Sequence, residues 1–464
     1  MTLDYLGVVD QARLAATGEV TARQLVEHSL GVIARRNPAL NAFTRVMVDE
    51  ALAAADALDA RFAAGGPAGP LHGVPVAVKE EYDVAGVPTT FGTNAVTHAA
   101  PRDCEAVRRL RAAGAIIIGK TTMPEFGQWP FTESTTYGFT RNPWQPAYST
   151  AGSSGGTAAA VASGMVAAGI GGDGGGSIRL PAAWCGLFGA KAQRGRISTA
   201  PNRALWRGLG VLGPLTRTVA DSARLFDVLA GNLPSDRYRV PPWPEPLTEV
   251  ITRELPPCRI LVAERPAKGP ALEAQTRAAL HRVAEALAGL GHDVVWGELP
   301  PYRPGLAMTG QMAGGVLDEL KLLDSPRLLE ARTRHAIPFY RLLAPYARAA
   351  ERRWEPLAET MFTVFDRYDV LLTPTTPYPP RRLGVLAGHE LPRTIKVSLE
   401  LTADTARGNV LGNPAAAIPA GFTADGLPLS AQLVVAPRRE PLLFQVAAGL
   451  ERALPWRDRV PPEV

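Results

Sequence analysis

The sequence predicts an α/β fold, a β-sheet whose strands are joined by helical crossovers, and two observations carry that reading. The first is a strand–helix–strand succession in the N-terminal half. Val74-Pro75-Val76-Ala77-Val78 is a short apolar, β-branched run. Cys104 to Ala113 has the spacing of an amphipathic helix, and Ala115-Ile116-Ile117-Ile118-Gly119 has the unbroken apolar texture of a buried strand. The second is the same order further on, with a strand from Arg259 to Ala263, a long helix from Leu272 to Leu290 and a strand from Val294 to Trp296.

The remaining elements follow in chain order. Thr21 is placed to cap a helix whose apolar residues Leu25, Val26, Leu30, Val32 and Ile33 form one face, with Asn37-Pro38 expected to stop it. A second helix is expected from about Asp49 to Phe62, ended by Ala63-Ala64-Gly65-Gly66-Pro67. The Pro-rich stretch 233–257 is the natural connector. Helices are expected to fill 308–367, before a buried strand at Val370-Leu371-Leu372. Strands near Ala415 to Pro419 and Ser430 to Val435, then a helix from Leu442, complete the chain. No internal repeat is found.

Composition narrows the function classes. With 46% hydrophobic and 20% charged residues the chain can bury enough apolar surface to order itself. The 45 glycines and 42 prolines are too many for a coiled coil and follow no three-residue period, which excludes collagen. A net charge of +5 spread over scattered basic residues gives no nucleic-acid track. Cys104, Cys185 and Cys258 share no metal-ligand spacing and read as small buried hydrophobes in a reducing, cytoplasmic setting. The N-terminus lacks the basic and apolar regions of a secretory signal. The longest small-apolar stretch, Ala158 to Gly172, falls short of the ~20 residues of a membrane span. The length of 464 residues suits either two or three ordinary domains or one large α/β enzyme.

The chemistry concentrates in the Gly/Ala/Ser tract at 150–176 and the residues after it. A flexible linker is disfavoured, because each cluster abuts an Ala-rich helix or the Ile178-Arg179-Leu180-Pro181 run. Gly169-x-Gly171-x-x-Gly174 matches a dinucleotide fingerprint, but it follows an Ala-rich helical stretch, and after Asp173 the next acidic residue is Asp221. Gly152-x-Ser154-x-Gly156 matches a hydrolase elbow, with His281, His292, His335 or His389 downstream. The preceding Gln145-Pro-Ala-Tyr-Ser-Thr does not read as the strand an elbow terminates. The fourth reading uses both clusters. Gly174, Gly175 and Gly176 offer consecutive unobstructed N–H groups for an oxyanion, with Ser177 beside them as nucleophile. A serine needs a base, and no histidine is close in sequence. Lys79, at the end of a hydrophobic strand, is eligible, since burial disfavours the ammonium; the alternative is a surface lysine beside Glu80 and Glu81.

These residues resemble the amidase signature family. Ala151 to Gly195 is similar to its Gly/Ser motif, and Gly73-Val-Pro-Val-Ala-Val-Lys79 with Asp83-Val-Ala-Gly-Val-Pro-Thr-Thr is similar to its lysine motif. Ile118-Gly-Lys-Thr-Thr-Met-Pro-Glu-Phe and Gly412-Asn-Pro-Ala-Ala-Ala-Ile-Pro-Ala-Gly add to the likeness. The resemblance implies one large α/β/α domain over 1–464 around a mixed, twisted central sheet covered by helices. Within it, helices would occupy 1–65, the catalytic core 66–235, a variable, insertion-like region 240–350 and the rest of the core 360–455. It implies an amidase that works through an acyl-enzyme, with Ser177 as nucleophile, Ser153 as a bridging serine in a cis peptide, and Lys79 as base. Gly174, Gly175, Gly176 and Ser177 would form the oxyanion hole, and no metal or organic cofactor is implied.

Ala151 stands where glycine is usual, Ala190-Lys-Ala where Leu-Lys-Pro is usual, and Gly172 and Gly174 where threonines are usual; the added glycine is expected to loosen the oxyanion loop. Phe126, Gln128, Trp129 and Trp184 are candidates for an aryl or extended apolar acyl pocket, against the alternative that they are ordinary core. The expected partner is a small-molecule amide, with no nucleic acid and no membrane, in a chain of a kind that is often a homodimer. Rival functions are the A subunit of glutamyl-tRNA(Gln) amidotransferase, acyl transfer to an amine in a biosynthetic pathway, and a non-catalytic binding protein.

Overall fold

Strands from both halves of the chain meet in one mixed sheet. A computed structural model describes residues 3–264, 270–300, 306–347, 358, 362–388 and 390–463. Its first elements are α1 (Val8–Ala16), α2 (Ala22–Leu40), β1 (Phe43–Val46) and α3 (Val48–Ala63). Thr21 caps α2 in a reciprocal capping box with Gln24. The helix runs through Pro38 to Leu40 rather than stopping at Asn37, because the proline falls in its last turn. There the Asn37 side chain accepts from the Ala42 and Phe43 amides at 2.8 and 3.0 Å.

The predicted strand–helix–strand unit is β2 (Pro75–Lys79), α4 (Glu105–Ala112) and β3 (Ile116–Thr121), with β2 and β3 parallel. Two small ribbons follow, β4 (Glu133–Ser134) with β5 (Gly138–Phe139) and β6 (Arg141–Asn142) with β7 (Gln145–Ser149). The sequence reading denies a strand to Gln145–Ser149; it forms one, but outside the main sheet. Next come α5 (Gly155–Ala162), β8 (Ala168–Asp173), α6 (Arg179–Cys185), β9 (Phe188–Lys191), β10 (Val211–Thr216), α7 (Val219–Leu229) and α8 (Leu247–Val250).

Strand β8 is the largest departure from expectation. The sequence reads as an Ala-rich helix before Gly169 and sets no strand at the glycines that follow, yet the tract splits into α5 and a central strand between parallel β2 and antiparallel β10. Glycine is a poor strand former, but here the neighbours come too close for a side chain. A Cβ at Gly169 would lie 2.5 Å from Thr157 Cγ2, and one at Gly171 2.8 Å from Ser154 Oγ.

The second half supplies β11 (Arg259–Val262), α9 (Ala274–Gly289), β12 (Asp293–Trp296), α10 (Leu306–Glu319), α11 (Ala331–Leu343) and β13 (Val370–Pro374). Part of the helical region expected at 308–367 lies outside the described residues. Helices at Leu391–Leu401 and Thr405–Leu411 precede the antiparallel pair β14 (Ala415–Phe422) and β15 (Pro428–Val435), and a helix at Glu440–Ala453 follows. The strand order is β1-β3-β2-β8-β10-β9-β14-β15-β13-β11-β12. Region 240–350, expected to resemble an insertion, therefore extends the sheet through β11 and β12. The Pro-rich connector packs on the main core through Trp243, whose ring centre lies 4.5 Å from the Arg196 guanidinium.

Glu451, on the Glu440–Ala453 helix, accepts from the Val219 amide at the start of α7 (3.1 Å). Burial pushes its carboxyl from 4.5 up to about 7. A carboxyl that keeps its proton to higher pH when folded contributes most below its unfolded value, and that contribution is lost as pH rises through about 7. Glu451→Gln keeps the acceptor and cannot ionise. Its melting temperature relative to the parent protein is expected to rise more at pH 8 than at pH 5; an equal difference at both pH values in thermal melts contradicts this.

Candidate active site

The parallel neighbours β2 and β8 end on the same side of the sheet, and the residues singled out in the sequence gather at those carboxyl ends, where open α/β sheets commonly bind ligands. Lys79 closes β2 and is 1% exposed, so it is not a surface lysine. Its Nζ donates to Ser153 Oγ at 2.8 Å and lies 3.0 Å from Glu81 Oε1. Glu80 pairs instead with Lys120 at 3.3 Å, so the two acids beside Lys79 serve different lysines.

Ser153 precedes α5, and the Gly152–Ser153 peptide is cis. The Ser154 amide donates to the Ser177 carbonyl at 3.2 Å, tying the two serine-bearing loops together. The Ser154 hydroxyl is engaged with the Gly172 amide and carbonyl, both at 3.2 Å. Of the four histidines offered to the elbow reading of Ser154, His281 pairs with Glu264 at 2.6 Å, the His292 ring accepts from the Cys258 amide, His335 is exposed on α11, and His389 lies outside the described residues.

The loop after β8 is built on Asp173. Its carboxylate accepts from the Gly176 amide (2.8 Å), the Ile178 amide (3.2 Å), the Asn409 side chain (2.8 Å) and Arg179 Nε and Nη2 (both 2.9 Å). Burial opposes the charge on Asp173, but the Arg179 guanidinium and these donors hold its carboxyl well below the usual range. Arg179 also donates to Gln432 Oε1 (2.5 Å) and Asn409 Oδ1 (2.7 Å). Thr405 Oγ1 donates to the Gly175 carbonyl at 2.7 Å. Of the four amides expected to form the oxyanion hole, that of Gly176 is given to Asp173 and braces the loop. Gly176 has φ +128°, and a Cβ there would lie 2.3 Å from Thr405 Oγ1.

The room that side chains at positions 172 and 174 would need is taken. A Cβ at Gly172 would lie 1.8 Å from Glu81 Oε1, and one at Gly174 2.6 Å from Trp206 Cε3. Glu81 and Trp206 fill that room.

Ser177, Gly174 and Gly175 open onto a cavity of about 210 Å³. Its walls include Trp129, Trp206, Met308, Met312 and Leu399, and none of the described residues lining it carries a charge. Of the four candidates for this pocket, Gln128 and Trp129 line it. The Gln128 side chain is held by Thr333 (2.8 Å) and Tyr340 (2.6 Å). Phe126 and Trp184 are core instead, because neighbouring rings enclose them: Phe126 stacks with Phe91 (6.4 Å), and Trp184 packs on Phe131 (6.0 Å) and Tyr378 (6.3 Å). Sequence reasoning did not single out Glu81, Asp173, Arg179, Trp206, Glu319, Thr405, Asn409 or Gln432. For Asp173 and Arg179 a signal was present, an acid six residues before an arginine, and Glu81 lies two residues after Lys79; the others come from distant segments.

Among the described residues, no cluster of three or more His, Cys, Asp or Glu side chains is arranged to hold a metal ion, and no helix is long and apolar enough to cross a membrane. Comparison with known proteins identifies the family. The amidase family model matches residues 24–444. AmiA2 of Mycobacterium tuberculosis (strain ATCC 25618 / H37Rv) is 42% identical over 461 residues, covering 96% of this chain and 93% of its own. The glutamyl-tRNA(Gln) amidotransferase A subunit of Synechococcus sp. (strain WH7803) is 34% identical over 478 residues, covering 97% of each chain. The solved structure of 6-aminohexanoate cyclic dimer hydrolase with its substrate superposes with a TM-score of 0.92 at 30% identity over 98% of each chain. The chain belongs to the amidase family and is an amidase, an enzyme that hydrolyses the C–N bond of a carboxylic amide.

Proposed function

We propose that this amidase acts on uncharged amides bearing an aryl or extended apolar acyl group, with Ser177 as nucleophile, Ser153 as proton relay and Lys79 as base. The observation that carries the reading is the buried 2.8 Å contact between Lys79 Nζ and Ser153 Oγ, beside the loop that presents Ser177.

Lys79, as the amine, takes the Ser153 proton while Ser153 takes that of Ser177, and Ser177 Oγ adds to the carbonyl carbon. The ammonium formed on Lys79 faces the Glu81 carboxylate at 3.0 Å, an interaction strengthened by burial. The oxyanion faces the free backbone amides of the 174–177 loop. The proton then returns through Ser153 to the leaving nitrogen, the C–N bond breaks, and the acyl group remains as an ester of Ser177. Water, surrendering a proton along the same route, adds to that ester; the bond from the acyl carbon to Ser177 Oγ then breaks, the proton returns to Ser177, and the acid leaves.

The glutaminase of a transferase complex is the second reading, favoured by the 34% identity to the Synechococcus chain. Against it, glutamine would bring a charged ammonium and carboxylate into a cavity whose described lining offers no counter-charge to either. A cytoplasmic location belongs to the proposal, supported by three buried, free cysteines.

Ser177→Ala is expected to lower kcat by at least about 10³-fold on any amide the enzyme cleaves, and Lys79→Ala nearly as much. Ser153→Ala is expected to be milder, because water can substitute for a relay hydroxyl. Parent-like turnover by Ser177→Ala contradicts the scheme. In the pocket, Trp129→Ala should reduce kcat/KM on aromatic amides more than on acetamide; equal losses count against an aryl pocket. Ammonia release from glutamine by the purified chain, at a rate rivalling its best apolar amide, would favour the amidotransferase reading.

A further inference from the structure

A second cavity of about 210 Å³ shares no lining residue with the substrate cavity. Trp206 lines the first cavity, whereas Glu81, Leu205 and Glu319 line the second. Trp206 Nε1 donates to Glu319 Oε1 at 3.1 Å, so one hydrogen bond joins the two linings. The indole rests on Gly174, at a spacing that leaves no room for a Cβ there.

The indole is also held in place. Trp206 and Arg207 have φ of +46° and +51°, a conformation that bulky residues adopt only when their surroundings impose it. Helix α10 supplies that constraint. A Cβ at Gly315 would lie 2.9 Å from Trp206 Cα, and one at Gly314 2.6 Å from Arg207 Cζ, so the helix approaches this pair closely. Asp318 accepts from Arg207 Nε at 3.1 Å, and Gln311 Nε2 donates to the Arg207 carbonyl at 3.0 Å.

We propose that Trp206, clamped by α10 and bonded to Glu319, is a partition that closes off the substrate cavity and sets the length of the apolar arm the enzyme accepts. The inference rests on the reading of Ser177 as nucleophile. Elsewhere an apolar cavity of about 150 Å³ holds benzene, so the cavity beside Ser177 suits an aryl ring or a short chain. Removing the indole joins the two cavities and admits a longer arm.

The test compares the parent enzyme with Trp206→Ala and Trp206→Leu on two series of amides, one lengthened by methylenes on the acyl side and one on the amine side. A single methylene in a fitted pocket is worth roughly 10–200-fold in specificity. In at least one series Trp206→Ala is expected to raise kcat/KM for the longest member relative to the shortest by about tenfold or more, with Trp206→Leu in between. Trp206→Phe, which keeps a ring against Gly174, should restore the parent ranking. Thermal melts and labelling of Ser177 by a fluorophosphonate report which variants are folded with a working nucleophile. An unchanged ranking in both series, in a Trp206→Ala or Trp206→Leu protein still labelled at Ser177, overturns the partition. Absence of Ser177 labelling in the parent enzyme overturns the catalytic reading instead.

Discussion

The site depends on one buried ion pair, Asp173 with Arg179, in which both side chains are 0% exposed. Such a pair costs several kcal/mol of desolvation per ion and persists only where its remaining polar atoms find partners. Here they do. Asp173 takes the Gly176 and Ile178 amides and the Asn409 side chain, and Arg179 reaches Gln432 and Asn409. The pair therefore pins the loop carrying Ser177 to β15 and to the Thr405–Leu411 helix, two elements from the far end of the chain. Removing one partner would leave the other as an uncompensated buried charge, so the loop's shape and its charge balance are the same constraint.

A second set of contacts joins this loop to the lysine. Because β2 and β8 are parallel neighbours, Lys79 and Asp173 emerge at the same end of the sheet, and Ser153 and Ser154, just before α5, bridge the gap. Two glycines, Gly172 in β8 and Gly174 in the loop, make room for side chains from elsewhere: Glu81 beside Lys79, and Trp206 against the cavity. The contribution of α10 is less obvious from the fold. It lies in a region with no recognisable motif, yet it reaches the cavity through Met308 and Met312 and holds Trp206 through Glu319.

Local signals were readable in the sequence and long-range ones were not. The cap at Thr21, the apolar strands around Lys79 and Ile117, and the glycine cluster before Ser177 act over a few residues, so their patterns survive in one dimension. Strand β8 was hidden because its glycines are there for close approach to Thr157 and Ser154, which propensity cannot express. Phe126 and Trp184 looked like pocket residues, but an aromatic ring near a site in sequence is as easily enclosed by the core. Gln432, Asn409 and Glu319 carry no local pattern at all. The site residues they bond, Arg179, Asp173 and Trp206, lie more than a hundred residues away, and only the tertiary fold brings them together.

The most direct test of the account is peptide mapping by mass spectrometry after reaction with a fluorophosphonate, in the parent enzyme and in Lys79→Ala. The account predicts a single adduct on Ser177, formed much more slowly when Lys79 is replaced. An adduct on Ser154 or elsewhere in place of Ser177, or labelling of Ser177 at an unchanged rate without Lys79, would contradict it.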